Sequence, residues 1–106
     1  MERKEFSAKS AVALEHIDEA LGDLEHESLD VNLAGDVLTM VFSDGTKFIL
    51  NAHSAAGQIW LAAGTQAWHF DFEADEDAWI AHKQGDELRA TVARVVSEKL
   101  GESVSI

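Results

Sequence analysis

Residues 37–51 read Val37-Leu-Thr-Met-Val-Phe42, then Ser43-Asp44-Gly45-Thr46, then Lys47-Phe-Ile-Leu-Asn51. The first and last runs are rich in β-branched and aromatic residues, which favour strands. The Asp-Gly pair between them is typical of a two-residue primed turn, because both central residues of that turn need a positive φ. The stretch therefore predicts a β-hairpin.

This hairpin lies within a longer series of predicted strands. Before it, Leu29, Val31 and Leu33 alternate with polar residues, and a turn at residues 34–36 follows them. After it, residues 58–62 and 67–72 form two more β-rich runs, and residues 78–81 form a short one. We expect five or six antiparallel strands.

Two helices are predicted to flank the strands. Leu14, Ile17, Leu21 and Leu24 recur at spacings of three and four, which predicts an amphipathic helix from near residues 6–10 to about residue 24. Asp86 is a candidate N-cap for a second helix that Gly101 closes. The apolar positions of this second helix are Leu88, Val92, Val95, Val96 and Leu100. We predict one α+β domain, residues 1–106, a two-layer sandwich with both helices on one sheet face.

The composition restricts the function. Twenty Asp and Glu against eight Lys and Arg give a net charge of -12, which repels nucleic acid and anionic membranes and attracts cations or basic proteins. The absence of cysteine excludes disulfides and thiolate metal sites. No apolar run is long enough to span a bilayer and no signal-peptide pattern opens the chain, so we expect a cytoplasmic protein.

The acidic residues are unevenly placed. No Lys or Arg occurs from Ser10 to Thr46, and Glu15, Glu19 and Asp23 follow one another at four-residue spacing on the first helix. Each such like-charge pair costs about 0.2 to 0.5 kcal/mol on an exposed helix. A merely solvated face is the plain alternative, but the acids continue to Asp30, which favours a cation site. Carboxylates suit hard cations, and an open site of this kind is weak and unselective.

Other chemistry has little support in the sequence. The five histidines form no HxxxH or ExxH pair on a helix, which argues against an enclosed metal centre. Residues 71–82 alternate like a calcium loop, but Glu76 replaces the required glycine and His82 the required glutamate. Phosphate-binding loops and nucleophile elbows are absent. We predict a protein that is not an enzyme.

A second candidate site lies on the predicted sheet. Ile59 and Leu61 share one face of their strand, so Gln58 and Trp60 share the other. If the helices cover Ile59, Trp60 is exposed beside a glutamine, a composition typical of interface hot spots. A Trp60 half-buried by its neighbours is the alternative. Trp68 and Trp79 are treated as core or strand-packing residues.

The chain resembles the frataxins, most closely their bacterial CyaY branch, over nearly its whole length. The resemblance rests on the order and spacing of Ile17-Asp18-Glu19 with Asp23 and Glu25, Gly35-Asp-Val-Leu-Thr39, Asp44-Gly45-Thr-Lys47, Asn51, Gln58-Ile-Trp-Leu-Ala62, His69-Phe70, Trp79 and Gly101-Glu-Ser-Val-Ser.

The resemblance implies an accessory protein of iron-sulfur cluster assembly. It would bind ferrous and ferric iron loosely, meet the cysteine desulfurase through its acidic edge, and turn Gln58 and Trp60 toward the scaffold protein. The implied iron ligands are Asp18, Glu19, Asp23, Glu25, Glu27 and Asp30, with Glu15 as a neighbour. We expect a monomer that iron could drive into oligomers, with no nucleic-acid or membrane partner. The competing hypothesis is an acidic interaction protein that mimics nucleic acid and blocks a basic partner. The enzymatic alternative that the resemblance implies is a ferroxidase.

Overall fold

The computed structural model describes all 106 residues, which form two helices and seven strands. In chain order these are α1 (Arg3–Gly22), β1 (Leu29–Ala34), β2 (Val37–Phe42), β3 (Lys47–His53), β4 (Gln58–Ala63), β5 (Gln66–Glu73), β6 (Ala78–Ala81), β7 (Asp86–Glu87) and α2 (Leu88–Leu100). Each strand pairs antiparallel with the next along the chain. The result is an open meander with β1 at one edge and β7 at the other.

The core lies between the two helices and one face of this sheet. Alternate strand positions such as Leu38, Leu50 and Ile59 are fully buried, as are Ile17 of α1 and Val92 of α2. This alternation leaves the opposite sheet face open to solvent, as expected for an antiparallel sheet covered on one side. The predicted two-layer α+β class is confirmed. Neither helix has the length and apolar character needed to cross a membrane.

The strand count differs from the prediction of five or six. The additional strand β7 forms because Ile80 pairs with Glu87 and Ala81 with Asp86. Asp86 is therefore not the N-cap; its carboxylate accepts a hydrogen bond from the indole of Trp68 at 2.9 Å. Glu87 caps α2 instead, since its side chain accepts hydrogen bonds from two backbone N–H groups of the first turn.

The β2–β3 hairpin is confirmed, but the predicted two-residue turn is wrong. Residues 43–46 form the loop, in which only Gly45 has a positive φ, of 88°. The Gly45 N–H donates to the carbonyl of Phe42, and the Phe42 N–H donates to the carbonyl of Thr46. This is the longer hairpin loop in which one glycine in the left-handed region follows a turn.

Both predicted helices are present, and the first begins and ends at different residues from those predicted. The first helix begins at Arg3, before the predicted start, and ends at Gly22 rather than near Leu24. Gly101 closes α2 in the left-handed conformation, with φ of 75°, as predicted.

Candidate functional site

One flank of α1 places acidic side chains beside the free edge of the sheet. The other flank carries Ala13, which lines a groove together with Arg89 and Ala90 of α2. At 3.6 residues per turn, Asp18 lies roughly 140° and Glu15 roughly 200° around the helix from Ala13. These carboxylates therefore point away from α2, on the side where α1 packs over β1.

The acidic residues continue beyond the end of α1. Glu25, in the left-handed region with φ of 48°, and Glu27 lie in the connection to β1, and Asp30 lies on β1 itself. Asp18 is half-buried and the others are exposed. We call this set the acidic edge; it consists of Glu15, Asp18, Glu19, Asp23, Glu25, Glu27 and Asp30.

The acidic edge has the form of an open array. No three of the chain's Asp, Glu or His side chains are arranged to enclose a metal ion. The six predicted iron ligands and their neighbour Glu15 thus form no closed coordination shell, and their role in iron binding stays a prediction. Such an array offers hard oxygen ligands to a cation that keeps much of its water.

No basic side chain neutralises the acidic edge. The molecule has three ion pairs, Arg94–Asp86, Arg94–Glu98 and Lys99–Asp44, and two histidine–carboxylate contacts, His26–Glu102 and His82–Glu73. None of these contacts includes an acidic-edge carboxylate. The last turn of α1 also lacks a basic residue. Glu19 and Asp23 are therefore repelled by the negative end of the helix dipole and also by one another. A bound cation would relieve both repulsions.

His26 is a residue that the sequence analysis did not single out. Its Nε2 atom lies 3.0 Å from a carboxylate oxygen of Glu102, and its Nδ1 atom accepts a hydrogen bond from the Ser28 N–H. These contacts hold the connection between α1 and β1, which carries Glu25 and Glu27, against the C-terminal segment. The sequence held no signal for the pair, because the two residues are distant along the chain.

The second candidate site occupies the open face of the sheet. Trp60 is half-buried there, and its Nε1 atom donates a hydrogen bond to Gln58 Oε1 at 2.9 Å. The Gln58 amide in turn donates to Asp71 Oδ1 at 3.1 Å. Both side chains lie on the predicted face, and of the two alternatives for Trp60 the half-buried one is confirmed. Trp68 and Trp79 are buried as predicted.

Two histidines explain the burial of Trp60. His53 stacks on one face of the indole and His69 on the other, with ring centroids 4.1 and 4.3 Å away and interplanar angles of 14° and 16°. The register produces this arrangement, since His69 lies directly opposite Trp60 and His53 directly opposite Gln58. A partner would therefore meet the edge of the indole ring rather than its face.

The comparisons with known proteins agree on one family. The frataxin-like domain matches residues 1–102. The iron-sulfur cluster assembly protein CyaY of Thioalkalivibrio sulfidiphilus (strain HL-EbGR7) is 38% identical over 102 residues, which are 95% of each chain. The solved frataxin of Psychromonas ingrahamii, from the CyaY family, superposes with a TM-score of 0.90 at 26% identity, over 99% of this chain and 97% of that one. The chain therefore belongs to the frataxin family, within its bacterial CyaY branch.

Proposed function

We propose that this protein is an iron-binding accessory protein of iron-sulfur cluster assembly and is not an enzyme. A relative with 38% identity carries the name of an iron-sulfur cluster assembly protein, which supports the general role. The observation that carries the finer proposal is the acidic edge, where seven carboxylates share one side of the molecule with no ion-pair partner. Iron is the cargo of this surface.

Weak binding follows from the chemistry of such a surface. Carboxylate oxygens bind ferrous and ferric iron, but a site that lacks softer ligands does not select iron over other metals. Ferrous iron also stands low in the affinity order of the divalent metals. An open array lets iron keep water ligands and leave quickly. These are the properties of a donor or regulator of cluster synthesis, which must release what it binds.

The same charge supports a protein partner. An uncompensated acidic surface attracts a basic one and accelerates their encounter. We propose that the cysteine desulfurase docks on the acidic edge, and that the open sheet face around Gln58 and Trp60 contacts the scaffold protein. Because iron and the desulfurase would use the same carboxylates, each should weaken the binding of the other.

Charge reversal tests this proposal. The double variant Asp18→Lys with Glu19→Lys should weaken binding of both iron and the desulfurase by about tenfold or more. The matched control is Asp75→Lys with Glu76→Lys, which makes the same change of net charge in an exposed loop between β5 and β6. Iron binding would be measured by anaerobic calorimetry and desulfurase binding by biolayer interferometry. Equal losses in the two variants, or no loss in either, would contradict a site on the acidic edge.

A further inference from the structure

The hydrogen-bond pattern of the sheet fixes which backbone groups of β1 point outward. The Phe42 N–H bonds toward β3, to the carbonyl of Thr46, whereas the Ser43 N–H bonds to the carbonyl of Ser28, which precedes β1. Backbone groups in an antiparallel ladder alternate in direction along a strand. The odd-numbered residues of β2 therefore bond to β1, and the even-numbered ones bond to β3.

The register then assigns the residues of β1. Asp30, Asn32 and Ala34 lie opposite odd-numbered residues of β2, so their backbone groups are used within the sheet. The backbone groups of Leu29, Val31 and Leu33 lie in the plane of the sheet and point away from β2, toward solvent at the free edge. The Leu29 N–H bonds to the carbonyl of His26. The N–H groups of Val31 and Leu33 have no partner in the protein.

Charge, rather than strand shape, protects this edge against pairing. Natural edge strands are often shortened, bulged, or interrupted by proline or by charged side chains, especially lysine. By contrast β1 has six residues, a continuous register with β2, no lysine and no proline. At the opposite edge β7 has only two residues. The one charge on β1 is that of Asp30, and the acidic flank of α1 lies beside it.

The charge around β1 determines what can pair with it. A second copy of this chain would bring one acidic edge against another, which opposes association of two chains of net charge -12. A basic extended segment meets no such repulsion. Its alternate side chains would point to the α1 side, toward Asp18 and Glu15, and to the open-face side, toward Asp30.

We infer that the acidic edge receives a basic partner by strand addition, with an extended Lys- or Arg-rich segment of that partner pairing with β1 as an eighth strand. Backbone hydrogen bonds to Val31 and Leu33 supply the pairing, and the carboxylates supply the selectivity for a basic segment. This inference deepens the proposed function and rests on it, because it states how the acidic edge binds a protein.

Amide hydrogen exchange followed by NMR tests the pairing directly. The probe is a short acetylated peptide of alternating lysine and valine, added at millimolar concentration. We expect exchange at Val31 and Leu33 to slow by about tenfold or more, while Asp30, Asn32 and Ala34, already bonded to β2, change little. The same peptide with an N-methyl group on every residue is blocked along both of its edges, so it cannot pair and should protect neither. Protection by both peptides, or by neither, would overturn strand addition.

A proline substitution separates this inference from iron binding. Val31→Pro removes an N–H that bonds nothing within the protein, a placement that edge strands tolerate. It should abolish peptide protection at Leu33 and leave iron affinity unchanged. Val31→Ala is the matched control, which shortens the same side chain, keeps the N–H and should keep the protection. If Val31→Pro binds the peptide as Val31→Ala does, strand addition is wrong even though iron binding stands.

Discussion

The ammonium group of Lys99 lies 2.6 Å from the Oδ2 atom of Asp44, and this ion pair joins the loop between β2 and β3 to the last turn of α2. Asp44 also accepts a hydrogen bond from the Thr46 N–H through Oδ1. The hydrogen bond from Lys99, and then those from Thr46, hold the pKa of Asp44 well below its ordinary value of 3.8. The loop thus gains a contact with the helix layer that only an ionised Asp44 provides.

Acid should remove this contact. A carboxyl group whose pKa is lower in the folded state contributes stability above its ordinary value of 3.8, and loses that contribution as the pH falls toward its folded value. Asp44→Asn should therefore lower stability at pH 7 and flatten the dependence of stability on pH below about pH 4. Urea unfolding at several pH values measures both. Lys99→Met should reproduce the effect, and an Asp75→Asn variant that did so equally would contradict the assignment.

The buried face of α1 should dominate the stability of that helix. Ile17 has no exposed surface, whereas Val12 on the same helix is 67% exposed. Ile17→Ala should lower the free energy of unfolding by about 2 to 5 kcal/mol through lost burial and a cavity. Val12→Ala should change it by less than about 0.5 kcal/mol. Urea denaturation measures the free energy of unfolding of each variant, and equal m-values would show that the two values can be compared. Similar losses of stability in the two variants would refute the assignment of the buried face.

The acidic edge should cost stability. Glu19→Lys removes a repulsion from Glu15 and Asp23 and places a positive charge near the negative end of the α1 dipole. Unfolding should become about 0.3 to 1 kcal/mol less favourable at low ionic strength. The gain should shrink in high salt, because screening weakens exposed charge interactions. Thermal unfolding in both salts checks this prediction, and a variant less stable than the original at low salt would disprove it.

Trp60 should contribute to partner binding more than to folding. Because it lies half-buried on the open face, Trp60→Ala should leave the fold intact while reducing affinity for the scaffold protein by roughly 2 kcal/mol, or about thirtyfold. The control is Ile49→Ala. Ile49 lies on β3, on the same open face of the sheet as Trp60, and is 39% exposed. Calorimetry measures the affinity of each variant for the scaffold protein, and circular dichroism shows whether the variant is folded. Equal affinities would exclude Trp60 as an anchor.

The periodic parts of the structure were predictable from the sequence. The spacing of Leu14, Ile17 and Leu21 identified the first helix, and alternation around Leu38 or Ile59 identified strands with one buried face. The position of the acidic edge followed from the same periodicity, because the apolar stripe on α1 determines where Glu15 and Asp18 point. Each of these inferences needs only residues that are close together along the chain.

Features that depend on register could not be predicted. The stack of His53, Trp60 and His69 requires knowing which residues of β3, β4 and β5 lie opposite one another. Strand β7 forms through pairing with β6, although residues 86 and 87 have no strand propensity of their own. The hydrogen bond from Trp68 to Asp86 likewise removed the N-cap that the local sequence favoured. In each case a contact between distant residues outweighed the local pattern.

An anaerobic amide NMR titration with ferrous iron tests the central claim, that the acidic edge is the iron site. Paramagnetic broadening should begin at residues 15–23, which form the end of α1 and its C-cap, and around Asp30 on β1. It should spare residues 73–77, an acidic segment in and beside the β5–β6 loop that serves as an internal control for charge alone. Broadening of both segments at the same iron concentration, or of neither, would contradict the assignment of iron binding to the acidic edge.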